Sequence, residues 1–79
     1  MTTRREIEQW FDRGVAEGAT HLIVCVDRFD YEDYPVFVKS KEDAMAHVAK
    51  PGDMQGIMEV YNLSMDKETQ LKETRARNF

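Results

Sequence analysis

Cysteine is almost absent from this chain of 79 residues, which has only Cys25. One thiol cannot form a disulfide within the chain. Cys25 lies in the apolar run HLIVCV, where a thiol behaves as a small hydrophobic group, and this is typical of a reducing cytosol. No His/Cys cluster has the spacing of a zinc site, so we expect no structural metal.

Long apolar runs and glycine-rich phosphate loops are also missing. No apolar run approaches the ~20 residues of a membrane-spanning helix, and no apolar segment follows the basic residues of MTTRREIEQW, so we expect neither a membrane span nor a signal peptide. The four glycines match neither G-x-G-x-x-G nor a Walker motif. The sequence therefore predicts a cytoplasmic protein without a cofactor.

Basic residues are scarce where acidic residues concentrate. The net charge is −4, and residues 21–38 contain four acidic residues but only one basic residue. Affinity for nucleic acid requires clustered Lys and Arg, so we expect no direct nucleic-acid binding. An acidic segment instead favours a basic protein partner.

Hydrophobic periodicity predicts that the chain begins with a helix over about residues 4–17. Thr3 and Glu6 form a T-x-x-E capping box, and Gly18 is a typical helix end. One face of the predicted helix carries Ile7, Trp10, Phe11, Gly14 and Val15. Gly14 on that face would allow the sheet to approach closely.

Two strands and a second helix are predicted next. The run from Leu22 to Val26 indicates a central strand buried on both faces. YPVFVKS indicates a second strand, with Pro35 at its beginning or edge, and a loop of about five to seven residues closes the hairpin. Ser40 and Asp43 indicate the start of a helix over KEDAMAHVAK.

The segment GIMEVYNLS favours a third strand, and a continuous helix from Met54 to Thr74 is the alternative. As a strand, it would place Met58 and Val60 on one face. The other face would carry Ile57, Tyr61 and Leu63, with Glu59 as the exception. Ser64 or Asp66 would cap a final helix over DKETQLKETRAR, whose late Lys72, Arg75 and Arg77 complement the helix dipole.

The order α-β-β-α-β-α predicts a single α+β domain over residues 1–79, small and two-layered, with a three-stranded antiparallel sheet. A domain of this size buries little surface, so we expect a homodimer.

Catalytic and metal chemistry find little support in the pattern. His21 and Cys25 would share a strand face at about 13 Å, too far apart for a hydrogen bond, and His47 lies on a predicted helix. Asp27, Asp30 and Asp33 lack the glycine and alternation of a calcium loop. We therefore expect no enzymatic activity.

The stretch DRFDYEDYP, residues 27–35, is the best candidate for a functional surface. Its candidate partner-binding residues are Asp27, Phe29, Asp30, Tyr31, Glu32, Asp33 and Tyr34. Aromatic rings are enriched in interface hot spots, and carboxylates accept bidentate contacts from arginine. The open alternative is a solvated hairpin loop in which Tyr31 and Tyr34 fold back on the sheet.

GATHLIVCVDRFDYEDYPVFV and MQGIMEVYNLSMDKETQL resemble a family of small proteins encoded by bacteriophages and prophage-like elements. The resemblance covers residues 6–73. It is carried by a GATH segment, by the hairpin pattern CD-x-FD-x-EDYPV and by MEVYNL. One departure is visible near Cys25, where this chain has VCVD instead of VCD, which affects the alignment of Asp27.

The chain also resembles anti-CRISPR proteins directed against type I-C systems. That resemblance implies a non-enzymatic inhibitor in the bacterial host cell. It would bind the crRNA-guided surveillance complex through a Cas subunit and block target DNA, acting as an acidic DNA mimic against Lys/Arg-lined channels. The alternative is an oligomeric protein that binds a nucleotide immune signal, with Arg28, or Arg75 and Arg77, contacting phosphate.

Overall fold

The structure is a computed structural model that describes residues 3–50, 55–73 and 76–79. Its elements are α1 (Arg4–Ala16), β1 (His21–Asp27), β2 (Glu32–Val38), α2 (Lys41–Ala49), β3 (Gln55–Asn62) and α3 (Lys67–Lys72). All strand pairs are antiparallel. The predicted α+β class and element order are confirmed, and the strand at 55–62 excludes the alternative of one long helix.

β1 is the middle strand of the sheet, whose order is β2-β1-β3. Every residue from His21 to Cys25 is buried. Leu22 and Val24 pack with residues of α1 and α3, whereas Ile23 and Cys25 pack with residues of α2. Helices therefore lie on both faces of the sheet, which refines the expected two-layer arrangement.

A β-bulge interrupts the pairing of β1 with β3. Val24 pairs with Glu59, but its neighbour Cys25 pairs with Ile57, so Met58 is the extra residue. The bulge places Ile57 in the same core cluster as Val60. The predicted face of Ile57 was therefore wrong, because strict alternation does not hold across the bulge.

α1 packs closely against the sheet at Gly14. A Cβ atom on Gly14 would lie 2.7 Å from Leu63 Cδ1 and 2.9 Å from Phe37 Cδ1, so the absence of a side chain permits the expected close approach. Ile7 and Phe11 are buried as predicted, but Val15 is 52% exposed. The apolar face of α1 extends beyond the area that the sheet covers.

The C-terminal residues 76–79 run along the outer edge of β3 rather than continuing α3. The Val60 amide donates to the Ala76 carbonyl at 2.7 Å, and the Asn78 amide donates to the Val60 carbonyl at 3.0 Å. The helix expected over DKETQLKETRAR is thus limited to six residues, and Arg77 lies in a parallel bridge with Val60. The predicted role of Arg77 at a helix end is wrong because it pairs with the sheet, and Arg75 lies outside the described residues.

The Gln70 amide joins α3, β3 and the C-terminal segment. Its side chain is 1% exposed. Gln70 Oε1 accepts from the Asn62 amide at 2.7 Å, and Nε2 donates to the Asn62 carbonyl at 2.8 Å. Asn78 Nδ2 donates to the same Oε1 at 3.1 Å. The side chain therefore substitutes for a neighbouring strand at the end of β3.

Replacing this amide tests its structural role. Gln70→Leu keeps a similar volume but leaves the part-buried Asn62 amide and carbonyl without these partners. We expect the free energy of unfolding to fall by about 2–4 kcal/mol, since unsatisfied polar groups are costly. Urea unfolding followed by circular dichroism measures the change. The control Gln9→Leu on exposed α1 surface should change stability by less than about 0.5 kcal/mol, and equal effects of the two substitutions would contradict the assignment.

Candidate interaction surface

The hairpin between β1 and β2 has a tight connection of four residues, 28–31. We call this connection together with the flanking Asp27 and Glu32, residues 27–32, the hairpin tip. Asp27 ends β1 and pairs with Glu32 at the start of β2. Asp27 Oδ1 accepts a hydrogen bond from the Phe29 amide at 2.9 Å, which fixes the first bend. The connection is shorter than the predicted five to seven residues because Glu32 and Asp33 already belong to β2.

The tip exposes two aromatic rings that make no contribution to the core clusters. Phe29 is 75% exposed and Tyr31 is 80% exposed. Tyr31 also has φ of +56°, and within the described residues it is the one non-glycine residue in this left-handed region. A backbone of this kind favours Gly, Asn or Asp and costs roughly 1–2 kcal/mol for other residues. The alternative that Tyr31 folds back on the sheet is excluded by its exposure.

The carboxylates of the hairpin form no ion pair with any residue that the structure describes. Within the described residues, the ion pairs are Arg13–Glu17, Lys67–Glu8 and Lys67–Asp12, none of which involves the hairpin. Arg28 lies within the acidic stretch, but its guanidinium packs over Gly56, where an added Cβ would come within 3.1 Å of Nε. Asp27 and Glu32 face each other directly across the strands. Two like charges in directly opposed positions destabilise a strand pair. Within the described residues, no ion pair thus neutralises these carboxylates.

The seven candidate residues do not form one surface. Phe29, Asp30 and Tyr31 lie at the exposed end of the tip, and Asp27 and Glu32 form its base. Asp33 pairs with Val26, so it projects to the opposite face from Glu32.

Tyr34 is separated from the tip altogether. It pairs with Cys25 and packs against the core cluster beneath α2. Its hydroxyl is buried and has no hydrogen-bond partner among the described residues. Tyr34 therefore folds back on the sheet, as the alternative predicted for both tyrosines, whereas Tyr31 does not.

A contact between Cys25 and His47 was not foreseen from the sequence. Cys25 Sγ lies 3.7 Å from His47 Nε2, although the two residues are 22 positions apart and on different elements. Burial raises the pKa of the Cys25 thiol from 9.0 to about 11, so the thiol stays protonated at neutral pH. A neutral thiol is a poor nucleophile, so this contact provides no activated thiolate at neutral pH. Nothing local in the sequence signals the pairing.

The described residues show neither a metal-binding cluster nor a membrane-spanning helix. Over residues 3–50, 55–73 and 76–79, no group of three or more His, Cys, Asp or Glu side chains could hold a metal ion. In the same residues, each helix is too short or too polar to cross a bilayer. Arg77 is one of the arginines considered for phosphate contact. Its guanidinium donates a hydrogen bond to the Ile57 carbonyl at 3.2 Å.

Comparison with known proteins gives no match to this chain: no family model, no curated protein and no solved structure is significantly similar to it.

The raised thiol pKa predicts a specific dependence of stability on alkaline pH. The unfolded thiol ionises near pH 9, whereas the folded thiol ionises near 11. The unfolded state therefore loses its proton first, and the free energy of unfolding should fall as the pH rises from about 9 to 11. Burial raises the pKa of Tyr34 and of Tyr61 as well. A variant that lacks the thiol should therefore still show part of the decrease in the free energy of unfolding.

Cys25→Ala separates the thiol from the tyrosines. We expect the variant to lose stability less steeply than the parent chain between pH 9 and 11, as measured by urea unfolding at each pH. The native thiol should also resist alkylation by iodoacetamide at pH 8 and react on unfolding. Rapid alkylation of the native protein would contradict both the burial and the raised pKa.

Proposed function

We propose that the protein is a non-enzymatic interaction protein whose hairpin tip binds a basic surface of a partner protein. The observation that carries the proposal is the exposure of Phe29 and Tyr31, at 75% and 80%, on a tip whose carboxylates have no ion-pair partners in the described residues. Exposed rings provide contact area at low entropic cost, and unpaired carboxylates are free to accept bidentate contacts from arginine.

The geometry of the tip supports binding rather than a purely structural role. A glycine or asparagine at position 31 would form the turn with less backbone strain, and a basic residue opposite Asp27 would stabilise the strand pair. The chain has neither. Local features that lower stability, such as backbone strain, are typical of functional sites.

The partner that we propose is the crRNA-guided surveillance complex of a type I-C CRISPR system. Such complexes hold DNA in channels lined by Lys and Arg, and an acidic, aromatic tip has the charge and shape to occupy a DNA-binding groove. Tip carboxylates would replace phosphates, and Phe29 and Tyr31 would contact guanidinium groups through cation–π interactions. This proposal rests on the resemblance to phage-encoded inhibitors together with the tip.

Charge reversal tests the electrostatic part of the proposal. Asp30→Lys with Glu32→Lys should abolish inhibition of target-DNA binding by a purified type I-C complex, because both substitutions place a cation where the tip would face a basic groove. An electrophoretic mobility-shift assay at two salt concentrations measures inhibition, which should weaken with salt in the parent chain.

A matched double variant controls for net charge. Glu17→Lys with Glu42→Lys changes the charge equally but lies at the other end of the sheet, after α1 and at the start of α2. This control should inhibit like the parent chain. Full inhibition by the Asp30/Glu32 variant would exclude the tip as the interface.

Substitution of Tyr31 separates the ring from the fold. Tyr31→Asn suits the left-handed backbone, so the free energy of unfolding should be unchanged or higher. Binding should weaken by about 2 kcal/mol, roughly thirtyfold in Kd, if the ring is a hot spot. Tyr31→Phe keeps the ring and should bind within about threefold of the parent chain. Surface plasmon resonance measures both, and equal affinities for the Asn and Phe variants would reject the anchor role.

A further inference from the structure

A depression lies at the end of the sheet opposite the hairpin tip. It has a volume of about 400 Å³, within the range of small-molecule sites. Its lining residues are Val15, Ala19, Thr20, His21, Lys41, Asn62, Leu63 and Ser64. Because β1 runs from His21 to Asp27, its length of about 20 Å separates this depression from the tip. The two regions can therefore act independently.

The charge of the depression is opposite to that of the protein. The chain has 15 Asp and Glu residues and a net charge of −4, yet none of the eight lining residues is a carboxylate. Lys41 lines the depression and forms no ion pair with any described residue. A cation in a lining that contains no carboxylate favours an anionic ligand.

The polar groups of the wall are held in defined orientations. Asn62 Oδ1 accepts from the Ser64 amide at 2.9 Å. A backbone amide can only donate, so the side-chain atom of Asn62 that it contacts must be the oxygen. The other terminal atom is therefore Nδ2, which is a donor. Asn62 Nδ2 donates to no protein atom within the described ranges. The depression thus offers two donors, the Lys41 ammonium and the Asn62 amide.

His21 holds a third polar group at the rim. The ring is 4% exposed, and its Nε2 lies 2.9 Å from the Phe79 carbonyl oxygen, which can only accept. Nδ1 lies 2.8 Å from Thr20 Oγ1, so the buried ring positions an exposed hydroxyl beside the depression. Val15, Ala19 and Leu63 supply apolar surface next to these groups.

We propose that this depression binds a small organic anion, a carboxylate or a phosphate ester with an apolar part. Lys41 and the Asn62 amide contact the anionic group, and Val15 and Leu63 contact the apolar part. This is a second site, independent of the proposed binding of a protein partner at the hairpin tip.

Another depression of similar size, also lined by described residues, has a different charge pattern. It has a volume of about 450 Å³ and is lined by Arg4, Glu8, Glu68, Leu71 and Lys72. This lining contains two carboxylates and two cations, so its positive and negative charges balance. The depression at Lys41 therefore differs from this one in the charge of its lining and not in size.

Nuclear magnetic resonance titration of the ¹⁵N-labelled chain tests the proposal. The probes are phenyl phosphate, benzoate and uncharged benzyl alcohol. We expect at least one of the two anions to cause saturable shifts of the Thr20, Lys41 and Ser64 amides, and the tighter anion identifies the ligand class. No saturable shift with either anion, or equal binding of benzyl alcohol, would overturn the proposal.

Charge reversal at Lys41 provides the decisive variant. Lys41 is the first residue of α2, where a carboxylate favours the helix dipole, so Lys41→Glu should remain folded. It should weaken binding of the better anion at least about tenfold. The matched control Lys39→Glu changes the same charge on an exposed residue outside the lining and should bind within about twofold. Equal weakening by the two variants would show a general charge effect and reject the site.

These outcomes are separable from those of the hairpin tip. Lys41→Glu should leave inhibition of the surveillance complex unchanged, and the Asp30/Glu32 reversal should leave anion binding intact. Failure of one proposal therefore leaves the other standing.

Discussion

Burial of β1 on both faces is the constraint on which the rest of the structure depends. A strand whose side chains from His21 to Cys25 are all buried needs a pairing strand along each edge and a helical cover on each face. β2 and β3 supply the edges, α1 and α3 cover one face, and α2 covers the other. With only 79 residues, this arrangement uses almost every element to enclose one strand.

The outer edges of the sheet are protected in different ways. Residues 76–79 pair with β3, and the Gln70 amide completes the pairing at its end. β2 has no neighbour on its outer side, but Pro35 lies in its middle and cannot donate to an additional strand. A proline at an exposed edge disfavours association through strand pairing. Contacts with a partner are therefore expected at the ends of the strands rather than along this edge.

Much of the fold could be predicted from local signals, and the failures share a physical cause. Caps at Thr3 and Ser40, the apolar run of β1 and the missing side chain of Gly14 act over a few residues and were read correctly. The bulge at Met58, the strand-like path of residues 76–79 and the contact of Cys25 with His47 depend on pairing between distant segments. No local pattern encodes such pairing. For the same reason, the sequence could group the seven hairpin residues but could not separate Tyr34 from Tyr31.

The central strand also determines where function can be placed. Substitution of the buried side chains of β1 would disrupt the core. Residues that bind a ligand or a partner are therefore more readily placed in the segments beyond the two ends of this strand. At one end lies the hairpin tip, with exposed rings and unpaired carboxylates. At the other end lies the depression around Lys41, which has no carboxylate. A small domain built around one buried strand thus has two surfaces of opposite charge about 20 Å apart, and each can evolve without disturbing the other or the core.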